Sequence, residues 1–301
     1  MISHTRCFLF AATLAAALLS APVLAKELTG TLKKIKDTGV ITLGHRESSI
    51  PFSYYDEKQQ VIGYSQDLAL KVVEAIKVEL KMAKLDIKLV PIASSNRIEL
   101  IEEGSVDLEC GSTTNNAERQ KLVSFSNSIF VVETRLLTKV DSGITDFPDL
   151  AGRNVVTTAG TTSERLLRKM NKEKKMNMSI ISAKDHGEAF LTLQTGRAVA
   201  FMMDDALLYG EMAKAKRVGD WAVVGTPQSL EAYGCMMRKG DPAFKKVVDT
   251  ALAKVMKSGE ATKIYDKWFQ QPIPPKGLNL NFPLSAAVKA MYKSPNDKAF
   301  E

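Results

Sequence analysis

Arg46, Arg97 and Arg119 each stand in a short polar loop just beyond a run of apolar residues, and each has hydroxyl side chains beside it. The loops read Gly44-His45-Arg46-Glu47-Ser48-Ser49, Ala93-Ser94-Ser95-Asn96-Arg97 and Gly111-Ser112-Thr113-Thr114-Asn115-Asn116-Ala117-Glu118-Arg119-Gln120. A guanidinium grips a carboxylate or phosphate through parallel N–H donors, and neighbouring hydroxyls add further donors. Taken singly, each arginine reads as a solvated surface charge, and the third loop as a helix start capped by Asn. Taken together, Arg46, Ser94, Arg97, Ser112, Thr114 and Arg119 describe a cationic pocket for an anion. A further hydroxyl loop, Thr158-Ala159-Gly160-Thr161-Thr162-Ser163, repeats the device, and Lys184-Asp185-His186-Gly187 and Asp204-Asp205 again put polar residues after apolar runs.

Such loops need strands to carry them. Short apolar runs over 40–43, 87–90 and 106–110 precede the arginine loops, and Leu68, Val72, Ile76 and Leu80 repeat at every fourth position between the first two, as one buried helix face does. In open α/β sheets ligands collect at the carboxyl ends of the strands. The pattern restarts after 141–143, with strands expected over 154–157, 179–181 and 198–203 and a helix over 164–171. Extended apolar runs near 130–138 and 229–237 read as two crossings between the units. The expected architecture is α/β with two lobes, 26–134 with 231–301 and 135–230, joined by two hinge strands over a cleft that closes on its ligand. After Pro272 the chain reads as an irregular polar tail.

The first 25 residues read as a secretory signal peptide: a short Ala/Leu/Phe core follows Arg6 and ends in Pro22-Val23-Leu24-Ala25, so cleavage is expected after Ala25. The rest has the length of one large or two small domains. The net charge of +7 is spread along helices without a basic run interleaved with aromatics, which disfavours a nucleic-acid partner and leaves a bias toward anionic ligands. Cys110 and Cys235 form one disulfide or remain two buried thiols; in an oxidising compartment both stay open. His45 and His186 lie in no ligand-spaced cluster, so neither a metal nor a cofactor is expected.

The strings Gly44 to Asp56, Gly63-Tyr64-Ser65-Gln66-Asp67, Cys110 to Asn116 with Glu118-Arg119-Gln120, Ser182 to Gly187 and Phe201 to Ala206 resemble the family 3 periplasmic solute-binding proteins of polar amino acid uptake, across essentially the whole exported chain. Ser65 departs from the acid usual in that family. The resemblance implies a periplasmic, monomeric, non-enzymatic carrier of an acidic L-amino acid that serves an inner-membrane ABC permease and its ATPase. It implies that Arg119 grips the α-carboxylate with Ser112, Thr114, Thr161, Thr162 and Ser163, that Asp204 takes the α-ammonium, and that Arg46, Ser94, Arg97 and His186 surround the side-chain carboxylate. Three arginines against one aspartate leave about two positive charges, suited to a ligand of net charge about −1. The rivals are an exported enzyme of the cyclohexadienyl dehydratase type on the same fold and the ligand-binding module of a sensor. Asp185 is the immediate neighbour of His186 rather than a spaced orienting group, and no Gly-x-Ser-x-Gly elbow accompanies it, which disfavours a catalytic triad.

Overall fold

A single strand of 17 residues, Val123–Lys139, runs through both halves of the molecule. The structure is a computed structural model that describes residues 27–299; the expected signal peptide and its cleavage site lie outside the described residues. The strand is rich in β-branched and aromatic residues, which suit a pleated surface buried on both sides. From Val123 to Glu133 it pairs antiparallel with Leu230–Arg238, and from Thr134 to Lys139 with Ala200–Asp204 and Trp221–Val224. Its partner changes between Glu133 and Thr134.

Each lobe adds parallel strands to this shared ladder. In the first, Val40–His45 lies between Asp86–Pro91 and Leu108–Glu109; in the second, Asn154–Thr158 lies between Ala200–Asp204 and Ser179–Ala183. Parallel neighbours require crossover helices: Tyr64–Glu79 and Arg97–Glu102 serve the first lobe, Thr162–Glu173 and His186–Gln194 the second. Helix Tyr64–Glu79 buries Leu68, Val72 and Ile76 as the four-residue spacing requires.

The larger core gathers aromatic rings where the long strand meets the helices Pro242–Lys257 and Glu260–Phe269. Phe130 stacks on Phe269 at 4.9 Å, and Phe52 meets Phe130 edge-on at 4.8 Å. The second lobe has its own core of Leu136, Phe147, Leu150, Val155, Leu167 and Met202. The segment after Pro272 is not merely an irregular tail. Ala286–Lys293 is a helix that buries Val288, Met291 and Tyr292, and the Tyr292 hydroxyl lies 2.6 Å from that of Tyr64. Three apolar residues at helical spacing outweigh the polar composition around them.

Candidate functional site

The three arginines converge at the carboxyl ends of the first-lobe strands. Arg46, just past Val40–His45, donates through Nη2 to Ser94 Oγ at 2.9 Å and through Nη1 to Ser112 Oγ at 3.4 Å. Arg97 opens the Arg97–Glu102 helix and donates through Nη1 to Thr113 Oγ1 at 2.5 Å and to the Ser112 carbonyl at 3.1 Å. Its Nε is buried without a partner. Arg119 donates to the Thr114 carbonyl at 2.9 Å and, across the cleft, to the Gly160 carbonyl at 3.3 Å.

The loop bearing Arg119 does not begin a helix as its composition suggests. Thr114 forms an isolated antiparallel bridge with Tyr233; Asn115 N donates to the Ala232 carbonyl at 2.8 Å, and Gly234 N to the Thr113 carbonyl at 3.0 Å. An open strand edge takes the loop's backbone groups before any coil can form, and helical structure is confined to the 3₁₀ turn Arg119–Lys121. Asn116 Oδ1 accepts from Arg119 N at 2.9 Å, so the expected Asn cap survives as a local turn contact. Cys110 and Cys235 are joined as a disulfide at the base of the same loop. The far side is tied to the C-terminal segment: Asn115 and Gln120 both donate to the Asp297 carbonyl, at 2.8 and 3.2 Å. Ser65, the family departure, donates to the Gly111 carbonyl at 2.7 Å and so supports the loop from behind.

The second lobe does present a helix N-terminus. Thr161 caps Thr162–Glu173, its Oγ1 accepting from Glu164 N at 3.1 Å and donating to the Thr158 carbonyl at 2.7 Å. The first-turn N–H groups of Thr162 and Ser163 have no intrahelical acceptor and suit an anion. His186 Nδ1 lies 2.8 Å from Thr158 Oγ1 and its Nε2 is buried without a partner. Asp185 caps the His186 helix by accepting from Glu188 N at 2.9 Å, so it does not orient the imidazole. Asp204, at the end of Ala200–Asp204, accepts from Ser163 Oγ at 3.2 Å, Thr134 Oγ1 at 3.4 Å and the Tyr233 hydroxyl.

Glu109, Glu231 and Tyr233 also belong to the cluster and escape the sequence reading. Thr113 Oγ1 donates to Glu109 Oε2 at 2.9 Å while accepting from Arg97, so Glu109 orients Arg97 through one hydroxyl. Glu231 Oε2 accepts from Thr114 Oγ1 at 2.5 Å and Thr162 Oγ1 at 2.7 Å. The one available signal was a glutamate within each of two apolar runs, since a carboxylate on a buried strand demands a partner. These residues correct the charge count. Three buried carboxylates, Glu109, Asp204 and Glu231, face three buried arginines, so the site carries no large positive surplus. What it offers an anion is unspent N–H donors.

Burial governs the titrations. It pushes Arg46 down to about 10 and Arg119 down to about 9, the charge of Arg97 acting in the same direction on both. Each guanidinium would therefore gain from an incoming anion. Burial, helped by Arg46 and Arg97, holds His186 well below the usual histidine range. In the neutral tautomer whose Nδ1 accepts from Thr158 Oγ1, His186 keeps Nε2–H as a donor. Asp204 is pushed up to about 7, by burial first and the Glu231 charge second. An ammonium would reverse that shift.

The lobes touch along the cleft. Thr114 and Thr162 hydroxyls are 3.4 Å apart, and Gly187 N donates to Ser48 Oγ at 3.4 Å. At Gly160 an added Cβ would lie 2.6 Å from Ser95 Cα, and at Gly210 it would collide with the Ile50 carbonyl oxygen. Two α/β lobes shut over buried arginines that retain free donors define a binding protein for a small anionic molecule. The model of the family described as bacterial extracellular solute-binding proteins, family 3, matches residues 41–271, and the chain belongs to that family. It is 66% identical to the L-glutamate/L-aspartate-binding protein of Pseudomonas aeruginosa, each chain covered to 97%. It is 60% identical to the glutamate/aspartate import solute-binding protein of Escherichia coli, with 97% of this chain and 96% of that one covered. Among solved structures, an ancestral arginine-binding protein bound to arginine is similar with a TM-score of 0.69 at 28% identity, over 77% of this chain and 98% of that one.

Proposed function

We propose that this protein captures L-glutamate and L-aspartate by lobe closure and hands them to an inner-membrane ABC permease driven by its ATPase. The observation that carries the reading is the meeting of Arg46, Arg97 and Arg119 from three first-lobe loops with Asp204 from the second lobe, all buried. Arg119 and the N–H groups of Thr162 and Ser163 take the α-carboxylate, with Ser112, Thr114 and the Thr161 cap shaping that end. Asp204 takes the α-ammonium. Arg46, Arg97, Ser94 and His186 enclose the side-chain carboxylate. A cationic ligand such as arginine would set a fourth guanidinium against the three buried ones, which is costly.

The names of the two relatives support the ligand class. The lobes follow the partner change in the long strand, 26–134 with 231–301 against 135–230. The protein acts as a periplasmic monomer, exported by a leader cleaved after Ala25, and performs no catalysis, Asp185 being spent on a helix cap rather than on His186. Calorimetry across a panel of amino acids is the test: glutamate and aspartate should bind near the micromolar level, about −8 kcal/mol. Binding of glutamine or arginine with no heat from the acidic pair would refute the assignment.

A further inference from the structure

Glu231 has no place in that ligand scheme, yet it is buried inside the site. Its Oε2 accepts from Thr114 Oγ1 at 2.5 Å and from Thr162 Oγ1 at 2.7 Å, and its Oε1 from Ser229 Oγ at 2.9 Å. Thr114 sits on the first-lobe loop, Thr162 opens a second-lobe helix, and Glu231 lies on the Leu230–Arg238 strand between the lobes. One oxygen thus holds a hydroxyl from each lobe. A carboxylate buried in an anion-collecting pocket is unfavourable unless O–H donors satisfy it, and one of those donors, Thr162, belongs to the second lobe. We propose that Glu231 is a closure latch, a positioning residue that fastens Thr114 to Thr162 across the cleft and holds the shut state around the ligand.

The latch also explains the fate of the two threonines. Their hydroxyls are turned to Glu231, so what they can give a ligand is main-chain N–H. The Thr114 N–H is free for that purpose, because the bonds of its bridge run through Asn115 N and Gly234 N on either side. Thr162 N–H is free as the first turn of its helix. Fixing both side chains to one carboxylate holds the two residues that carry these N–H groups, one on each lobe, side by side, and on this proposal release of the ligand requires the Thr162–Glu231 bond to break.

This inference rests on ligand-driven closure around an acidic amino acid, so wild-type calorimetry with glutamate is run first and tests that reading alone. Stopped-flow dissociation is then measured for wild type, Glu231→Ala and Thr162→Val at pH 8, above the titration of Asp204. Two ligands are used: L-glutamate and glutarate, which lacks the ammonium. The latch predicts glutamate leaving about ten to a hundred times faster from Glu231→Ala, a similar factor for glutarate, a smaller one for Thr162→Val, and no further loss when the two substitutions are combined. Unchanged dissociation in Glu231→Ala overturns the proposal. So does a loss confined to glutamate, which would make Glu231 a direct partner of the ammonium. Should Glu231→Ala fail to fold, Thr162→Val carries the test, and dissociation at the wild-type rate from it is the overturning result.

Discussion

The two hydroxyl loops that face each other across the cleft, Gly111 to Gln120 and Gly160 to Glu164, read almost alike as sequence and are built on different principles. The second is a helix N-terminus: Thr161 caps it, and its free N–H groups come with the helix. The first has no helix behind it. It is an extended segment held by Ala232 and Gly234 on the neighbouring strand, by the Cys110–Cys235 disulfide and by Asp297 of the C-terminal segment. The second lobe thus draws its attraction for anions from a local backbone arrangement. The first draws it from guanidinium side chains on a backbone made rigid from outside, so damage should propagate differently in the two.

The largest expected effect tests what rigidifies the first loop. Replacing Cys110 and Cys235 together by Ser removes a cross-link spanning a separation of 125 residues. Urea unfolding should show a loss of about 2–5 kcal/mol, and a midpoint shared with wild type would show that strand pairing suffices. Next comes Arg119→Ala, which deprives this lobe of a charge that no helix end can replace. Glutamate affinity by calorimetry should fall about a hundredfold or more, about 3 kcal/mol, and near-normal affinity would put the α-carboxylate clamp entirely on the second lobe.

A third experiment probes the charge paired with the second loop. Asp204, pushed up to about 7 by burial and Glu231 and bonded to Ser163 and Tyr233, must be ionised to hold an ammonium. Below pH 7 the free protein carries a proton there that binding expels, so glutamate affinity should drop about tenfold per pH unit toward pH 5 and stay level above 7. Calorimetry at pH 6 in buffers of unlike ionisation heat should record the released proton, and glutarate should show no such slope. The smallest effect belongs to Thr161→Ala, a lost cap worth about 1 kcal/mol in thermal unfolding. A much larger loss of glutamate binding than of stability would mean that the cap aims the N–H groups as well as securing the helix.

Arg46, Ser94, Arg97, Ser112, Thr114 and Arg119 were visible because polar residues after apolar runs mark strand exits, and strand exits gather at one edge of a parallel sheet. The family strings imply the roles proposed for them. Gly111 to Gln120 misled because Asn and Thr before a charged run fit a helix cap and a strand-edge pairing equally well, and only a distant partner strand decides between them. Glu109 and Glu231 stayed hidden for a related reason. Each sits in an apolar run whose period records burial and says nothing of which charges meet there. The helix Ala286–Lys293 was obscured by its polar surroundings, although Val288, Met291 and Tyr292 carry the burial pattern.

Gly160 and Gly210, where an added methyl group would strike Ser95 and Ile50 of the facing lobe, set the width of the shut cleft by shape alone. An alanine at either position would act as a wedge, leaving each lobe's own side chains unaltered while keeping the halves ajar. Held apart, the lobes would lose the cross-cleft contacts of Arg119 with the Gly160 carbonyl and of Thr162 with Glu231.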